Sequence, residues 1–199
     1  MYAIVENNEI TKLINNPKSI VIGDVRYPAK IFSVWSASEL NAIGIYEVVT
    51  DSSNKKDEKW YINTNESYAF ADNQVTRSWG TATPKAHADR NATDENGVEL
   101  NPVVVIEGLK TQLIRTLKQQ VSNELARTDW YITRNTEKST AIPSAISTHR
   151  DAVRTKQAEM ETAISNASDT PALETLYTYT EQDDGSVTRP LGELPTLES

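Results

Sequence analysis

At 199 residues the chain can hold one domain of ordinary size or a small domain with a helical extension, and its 38% hydrophobic content allows only a modest core. A net charge of −8 and a pI near 4.9 argue against a protein that grips phosphate backbones, so no nucleic-acid partner is expected. The absence of cysteine removes disulfides, thiolate nucleophiles and cysteine metal sites, and seven glycines without a phosphate-cradling loop leave no basis for a nucleotide cofactor.

No apolar run approaches the roughly 20 residues that span a bilayer, and Met1-Tyr2-Ala3-Ile4-Val5 runs straight into polar residues. A soluble chain with no signal peptide and no membrane partner is therefore expected. Tyr2–Val5 and Ile10–Ile14 flank Asn7-Asn8 and read as a β-hairpin. Ser19–Ile22 is a third, β-branched strand ending at a Gly23-Asp24 turn. Ser36 or Ser38 can cap a short helix through Glu39–Ile43, with Gly44 ending it and Ile45–Val49 following as a strand.

Residues 50–59 are polar and read as a solvated loop. Trp60-Tyr61-Ile62, Ser67–Phe70 and Gln74–Trp79 are short aromatic strands, and residues 80–97 lack periodicity and read as a linker.

Beyond the linker, Ile106, Leu109, Leu113, Leu117, Val121 and Leu125 recur at helical spacing, predicting a helix from about Val103 to Arg127. A loop is expected over 128–141. Ile142, Ile146, His149, Val153, Met160 and Ile164 then form a second, near-heptad stripe. Both stripes are narrow, so a hairpin of these helices would close better against a further surface, expected from a second copy or another protein. From Asp169 the chain turns acidic, with Leu176–Thr180 a strand candidate and Asp183-Asp184-Gly185 a turn. The expected class is α+β: a β-rich N-terminal domain with one short helix and a trailing linker (1–98), a helical hairpin (99–168) and an acidic extended tail (169–199).

Few residues carry chemistry. His87 lies in the linker with no ligand partner at metal spacing, and His149 sits on a helical stripe where a packed histidine is the simpler reading. Asp89–Gly97 places oxygen ligands at alternate positions, but Asp94 occupies the position a calcium loop gives to glycine and Leu100 the position of its last glutamate. Neither a metal nor another cofactor is expected, and no catalytic residue is assigned. Trp60, Tyr61, Tyr68 and Trp79 could form a carbohydrate-binding face if at least two rings were exposed together.

The junction between the two stripes is the least generic stretch. Thr128 or Asp129 can bond backbone groups freed at a helix end, and Trp130 is suited to plug the helical pair. Arg150 and Arg154 share a face one turn apart, and either can reach Asp129. These residues alone allow two readings: a specific junction, or a plain cap beside a solvated basic face.

The pattern Arg115…Leu125-Ala126-Arg127-Thr128-Asp129-Trp130…Arg134…Ile142-Pro143…His149-Arg150-Asp151-Ala152-Val153-Arg154 resembles a motif of bacteriophage tail and tail-fibre assembly proteins. In that motif Leu-Leu-x-x-Thr-Asp-Trp precedes Tyr-Arg-x-x-Leu-Arg. Phe32–Tyr46 and Arg77-Ser78-Trp79 resemble the small domain found ahead of it, so the likeness covers most of residues 1–168. His149 stands in place of the tyrosine and Val153 in place of the leucine. The resemblance implies a non-enzymatic protein that binds a tail or tail-fibre subunit, as an assembly chaperone or as a structural adaptor in the virion. The location it implies is the virion tail, or the host cytoplasm during assembly. Thr128, Asp129, Trp130, Arg134, His149, Arg150 and Arg154 are the partner-binding residues it implies.

Overall fold

The computed structural model describes residues 1–197. Its class is α+β, as the sequence predicts, and it divides into two compact units, Met1–Thr83 and Pro84–Ser199. The division falls before the expected boundary at 98/99 because residues 86–89 are bonded to the start of the first long helix, as described below.

In the first unit, β1 (Tyr2–Glu6) and β2 (Glu9–Ile14) form the expected hairpin, with Asn7 and Asn8 both at positive φ in its turn. Asparagine tolerates that left-handed conformation, and a two-residue hairpin turn demands it. β3 (Ile20–Ile22) pairs with β4 (Val25–Tyr27), and a single turn, α1 (Ile31–Val34), buries Ile31 and Phe32. Helix α2 (Ala37–Ala42) is set locally: the Ser36 hydroxyl accepts the Glu39 N–H while the Glu39 carboxylate accepts the Ser36 N–H, closing a capping box. Gly44, at φ +78°, ends the turn where a Cβ would meet the Val5 carbonyl oxygen at 2.8 Å.

β5 (Ile45–Thr50), β6 (Tyr61–Ile62), β7 (Ser67–Ala71) and β8 (Gln74–Ser78) complete the unit. Five strands form one sheet in the order β2-β1-β5-β8-β7, antiparallel except for the β5–β8 pair. One core cluster packs Ile4, Ile14 and Ile45 of the sheet against Ile20, Ile31, Phe32 and Leu40, and a second, made of sheet residues alone, gathers Ala3, Val5 and Val75. The two-residue strand β9 (Thr83–Pro84) straddles the division.

The second unit opens with a ribbon of β10 (Arg90–Asn91) and β11 (Val105–Ile106). Here the first predicted helix is corrected: α3 runs Leu109–Ala126, not from Val103, because Val103-Val104-Val105-Ile106 are β-branched and the last three of them bond to β10 and Ala92 as extended chain. The segment before it supplies the cap that Gly108 lacks. Asp89 accepts the Gly108 N–H at 2.7 Å and the Thr111 hydroxyl at 2.9 Å, while the Ala86 and His87 carbonyls accept the Leu109 and Lys110 N–H groups. Those two bonds hold the Asp89 carboxyl below its ordinary range, the Gly108 amide contributing most.

The expected loop over 128–141 is also corrected, since Asp129–Lys138 form helix α4. No apolar stripe betrays it in the sequence, because none of its residues is buried. Ser139, at φ 53°, ends it by adopting the left-handed conformation. Helix α5 (Ser144–Asn166) follows, burying Ile146, His149, Val153, Met160 and Ile164 against Leu109, Leu117 and Val121 of α3, as the two stripes predict. Lys110 donates to the Ser165 carbonyl at 2.8 Å, neutralising one free carbonyl at the end of α5.

The extended tail is the third correction. Residues Thr170–Tyr177 form helix α6, with Asp169 accepting the Ala172 N–H at 2.8 Å and Pro171 in the first turn. Asp-Thr-Pro is therefore a helix start, and Leu173, Leu176 and Tyr177 share a face that a strand reading of 176–180 splits. Leu173 is fully buried and α6 packs on α5, so part of the extra surface the hairpin needs comes from the chain itself. β12 (Thr180–Glu181) and β13 (Val187–Thr188) flank the Asp183-Asp184-Gly185 turn, which forms as expected with Gly185 at φ +79°. Beyond it the Arg189 guanidinium lies over the Tyr177 and Tyr179 rings and Leu191 is buried. Among the described residues no helix is long and apolar enough to cross a membrane.

Candidate functional site

The three helices α3, α4 and α5 meet at Thr128. It is the break between α3 and α4, at φ −117° and ψ 4°, so the chain changes direction here. Thr128 is 2% exposed, and its hydroxyl donates to the Leu125 carbonyl at 3.0 Å, satisfying one of the acceptors that α3 leaves open.

Arg150, on the facing side of α5, completes the node. Its Nη1 lies 2.8 Å from the Leu125 carbonyl oxygen, 2.7 Å from the Thr128 hydroxyl oxygen and 2.8 Å from Asp129 Oδ1. One nitrogen with two hydrogens serves three acceptors, so at least one hydrogen is shared. The Arg150 side chain is 9% exposed, whereas that of Asp129 is 59% exposed. The node is thus a buried cation satisfied chiefly by a helix end and a hydroxyl, with the carboxylate facing solvent.

Beside the node, on the residues next to Arg150 and Leu125, His149 Nε2 lies 3.1 Å from Glu124 Oε1, and the other Glu124 oxygen accepts from Arg127 at 3.1 Å. Partial burial pushes the Glu124 carboxyl up, but Arg127 and His149 together outweigh it and hold the group below its ordinary value. The sequence offers both halves of this pair, yet only the α3–α5 crossing brings residues 25 positions apart into contact.

Of the seven residues assigned from the sequence, Thr128, Asp129 and Arg150 come together directly, and His149 joins Glu124. Arg154 does not reach Asp129; it pairs with Asp151 at 3.4 Å on an exposed face. Trp130 is not a plug. It is 51% exposed, because α4 turns its ring away from the α3–α5 interior. Its ring lies 3.7 Å from that of Tyr131, and the Arg134 guanidinium sits 5.0 Å from the Trp130 ring and 5.8 Å from the Tyr131 ring. Ile132, 39% exposed, adds an apolar side chain to the same short helix. Glu124, Tyr131 and Ile132 were not assigned from the sequence, and only the Glu124-x-x-Arg127 charge spacing signals any of them.

The remaining candidates are placed elsewhere. Asp94 accepts the Asn96 and Val98 N–H groups at 2.9 Å, so the calcium-like stretch is a turn, and among the described residues no cluster of three or more His, Asp or Glu side chains could hold a metal. Trp60, Tyr61 and Trp79 are at most 8% exposed and Tyr68 is half-buried, so the two exposed rings that a carbohydrate face requires are not offered by this set. No family model matches the sequence, and neither a curated protein nor a solved structure matches the chain.

Proposed function

We propose that this chain is a non-enzymatic bacteriophage tail protein whose helical unit binds a tail or tail-fibre subunit, during assembly or as a permanent adaptor. One observation carries the reading: α4, ten residues long and with none fully buried, presents the exposed Trp130 ring against the half-buried Tyr131 and Arg134 side chains, a group fixed at one end by the Arg150 node. A helix this short has little stability of its own in water, and half-exposed tryptophan beside arginine is the composition of a binding hot spot. The motif resemblance falls on the same residues, Thr128-Asp129-Trp130 and Arg150.

The test is co-expression with the tail and tail-fibre subunits of the same genome. A complex that survives purification with the intact chain and is lost with Trp130→Ala, while the variant stays folded, is the expected result. Formation of no complex with any of those subunits refutes the reading. Mass spectrometry of purified particles then separates the two roles: presence of the chain assigns an adaptor, and absence assigns an assembly factor.

A further inference from the structure

We propose that the outer edge of β11 takes up an extended strand of another protein, one rich in β-branched residues and carrying Lys or Arg at both ends. Val103, Val104, Val105 and Ile106 are 59, 49, 54 and 40% exposed, and because successive side chains alternate, both faces of the strand are open. Residues 100–106 contain no charge, so the edge lacks the lysines by which natural edge strands avoid pairing.

The ladder fixes which backbone groups are free to pair. The Ala92 N–H donates to the Val104 carbonyl at 2.7 Å, and Arg90 pairs with Ile106, so Val104 and Ile106 direct their backbone groups toward β10. Asn91 and Val105 are the intervening non-bonded pair, and the Val105 N–H and C=O therefore point outward. A two-residue ladder is a marginal sheet, and a third strand would bond these groups and cover the valines.

Charge selects the occupant. Residues 89–107 hold five acids against the single base Arg90; Glu107 is paired with Arg115 at 2.6 Å and Asp89 caps α3, which leaves Asp94, Glu95 and Glu99 as the acids of the ribbon without an ion-pair partner among the described residues. A second copy would bring the same acidic ribbon and another net −8 to the contact, whereas a basic foreign strand is drawn to the acidic ribbon that carries Asp94, Glu95 and Glu99. None of the junction residues takes part, so this edge and the α4 surface are tested separately.

The experiment is fluorescence anisotropy of the full chain with a labelled synthetic peptide, Lys-Lys-Val-Thr-Val-Thr-Val-Lys-Lys. Saturable binding is expected, weakened at least tenfold when the four lysines become glutamates and at least tenfold when the central valine becomes proline. Val105→Pro removes the outward donor without taking a bond from the β10 ladder, and should weaken binding at least tenfold with unchanged helical circular dichroism. Val105→Lys, which keeps the backbone and adds a repelling charge, should do the same if the proline variant misfolds. Absence of saturable binding, equal binding of the proline-centred peptide, equal binding of the acidic peptide, or full binding by the folded variants overturns the proposal. A sedimenting dimer that Val105→Lys disperses overturns it too, since the occupant would then be a second copy.

Discussion

Replacing Arg150 with methionine keeps the aliphatic stem in place and removes the guanidinium, which isolates the polar part of the node. The three acceptors it leaves behind are not equal. The Leu125 carbonyl retains the Thr128 hydroxyl as donor at 3.0 Å, and the Asp129 carboxylate, 59% exposed, is rehydrated at little cost. The Thr128 hydroxyl oxygen, in a residue 2% exposed, loses the one donor it has among the described residues and stays out of water. A bond to a charged group contributes about 1.5–3 kcal/mol, and three that share one nitrogen do not add, so a loss of about 3 kcal/mol is expected. For a helical unit of this size that corresponds to a fall of roughly 10 °C in the melting temperature. Thermal unfolding at 222 nm reads it, because the long helices all lie in the second unit. A double-mutant cycle assigns the partner: coupling of Arg150 to Thr128→Val should exceed its coupling to Asp129→Asn. A loss below about 0.5 kcal/mol for Arg150→Met, or the opposite order of couplings, would refute the picture of a buried cation held by the helix end.

Trp130→Ala should cost less than about 1 kcal/mol, because half the ring is already in water, while Ile164→Ala, fully buried between α3 and α5, should cost about 3 kcal/mol; chemical denaturation compares them directly. Gly108→Ala should destabilise by about 2–3 kcal/mol, since the new Cβ would lie 2.4 Å from the Ala88 carbonyl, and the melting temperature reports it. Glu124 is held below its ordinary value of 4.5, so it adds stability above that pH and loses it as pH falls below 4.5 toward the folded value. The acid limb of the stability–pH curve should flatten in Glu124→Gln, and an unchanged limb would show that the His149–Glu124–Arg127 cluster carries no such linkage.

Local signals were legible and non-local ones were not. The Gly44 helix stop and the Asn7-Asn8 turn act over three or four residues and form as read, and of the two serines that could cap α2 it is Ser36 that does so, closing a box with Glu39. The two long stripes were legible because burial follows their period. The start of α3 was not, because Ile106 falls in step with Leu109 and Leu113 and so extends the pattern backward into a strand. α6 was masked by Tyr177-Thr178-Tyr179, whose alternation imitates a strand although Asp169 and Pro171 open a helix. At the junction, the facing arginines could be read from spacing. Which of them reaches Thr128 and Asp129 depends on the chain turning at Thr128, and no periodicity records that turn.

That turn also explains how burial at one place can govern binding at another. Since α4 fully buries no residue and only Tyr131, Arg134 and Asn135 are half-buried, its attachment at Thr128 and Asp129 is its strongest anchor, with the Asn135 amide bonded to the Thr140 carbonyl at its far end. Arg150 thus sets the direction of the Trp130–Tyr131–Arg134 group while remaining too buried to touch a partner itself. Arg150→Met should therefore weaken capture of a tail subunit although every exposed side chain is kept, and Trp130→Ala should weaken it with the fold intact. A binding constant for Arg150→Met equal to that of the intact chain, at a temperature where both are folded, would mean that the partner itself orients α4. The node would then serve stability alone.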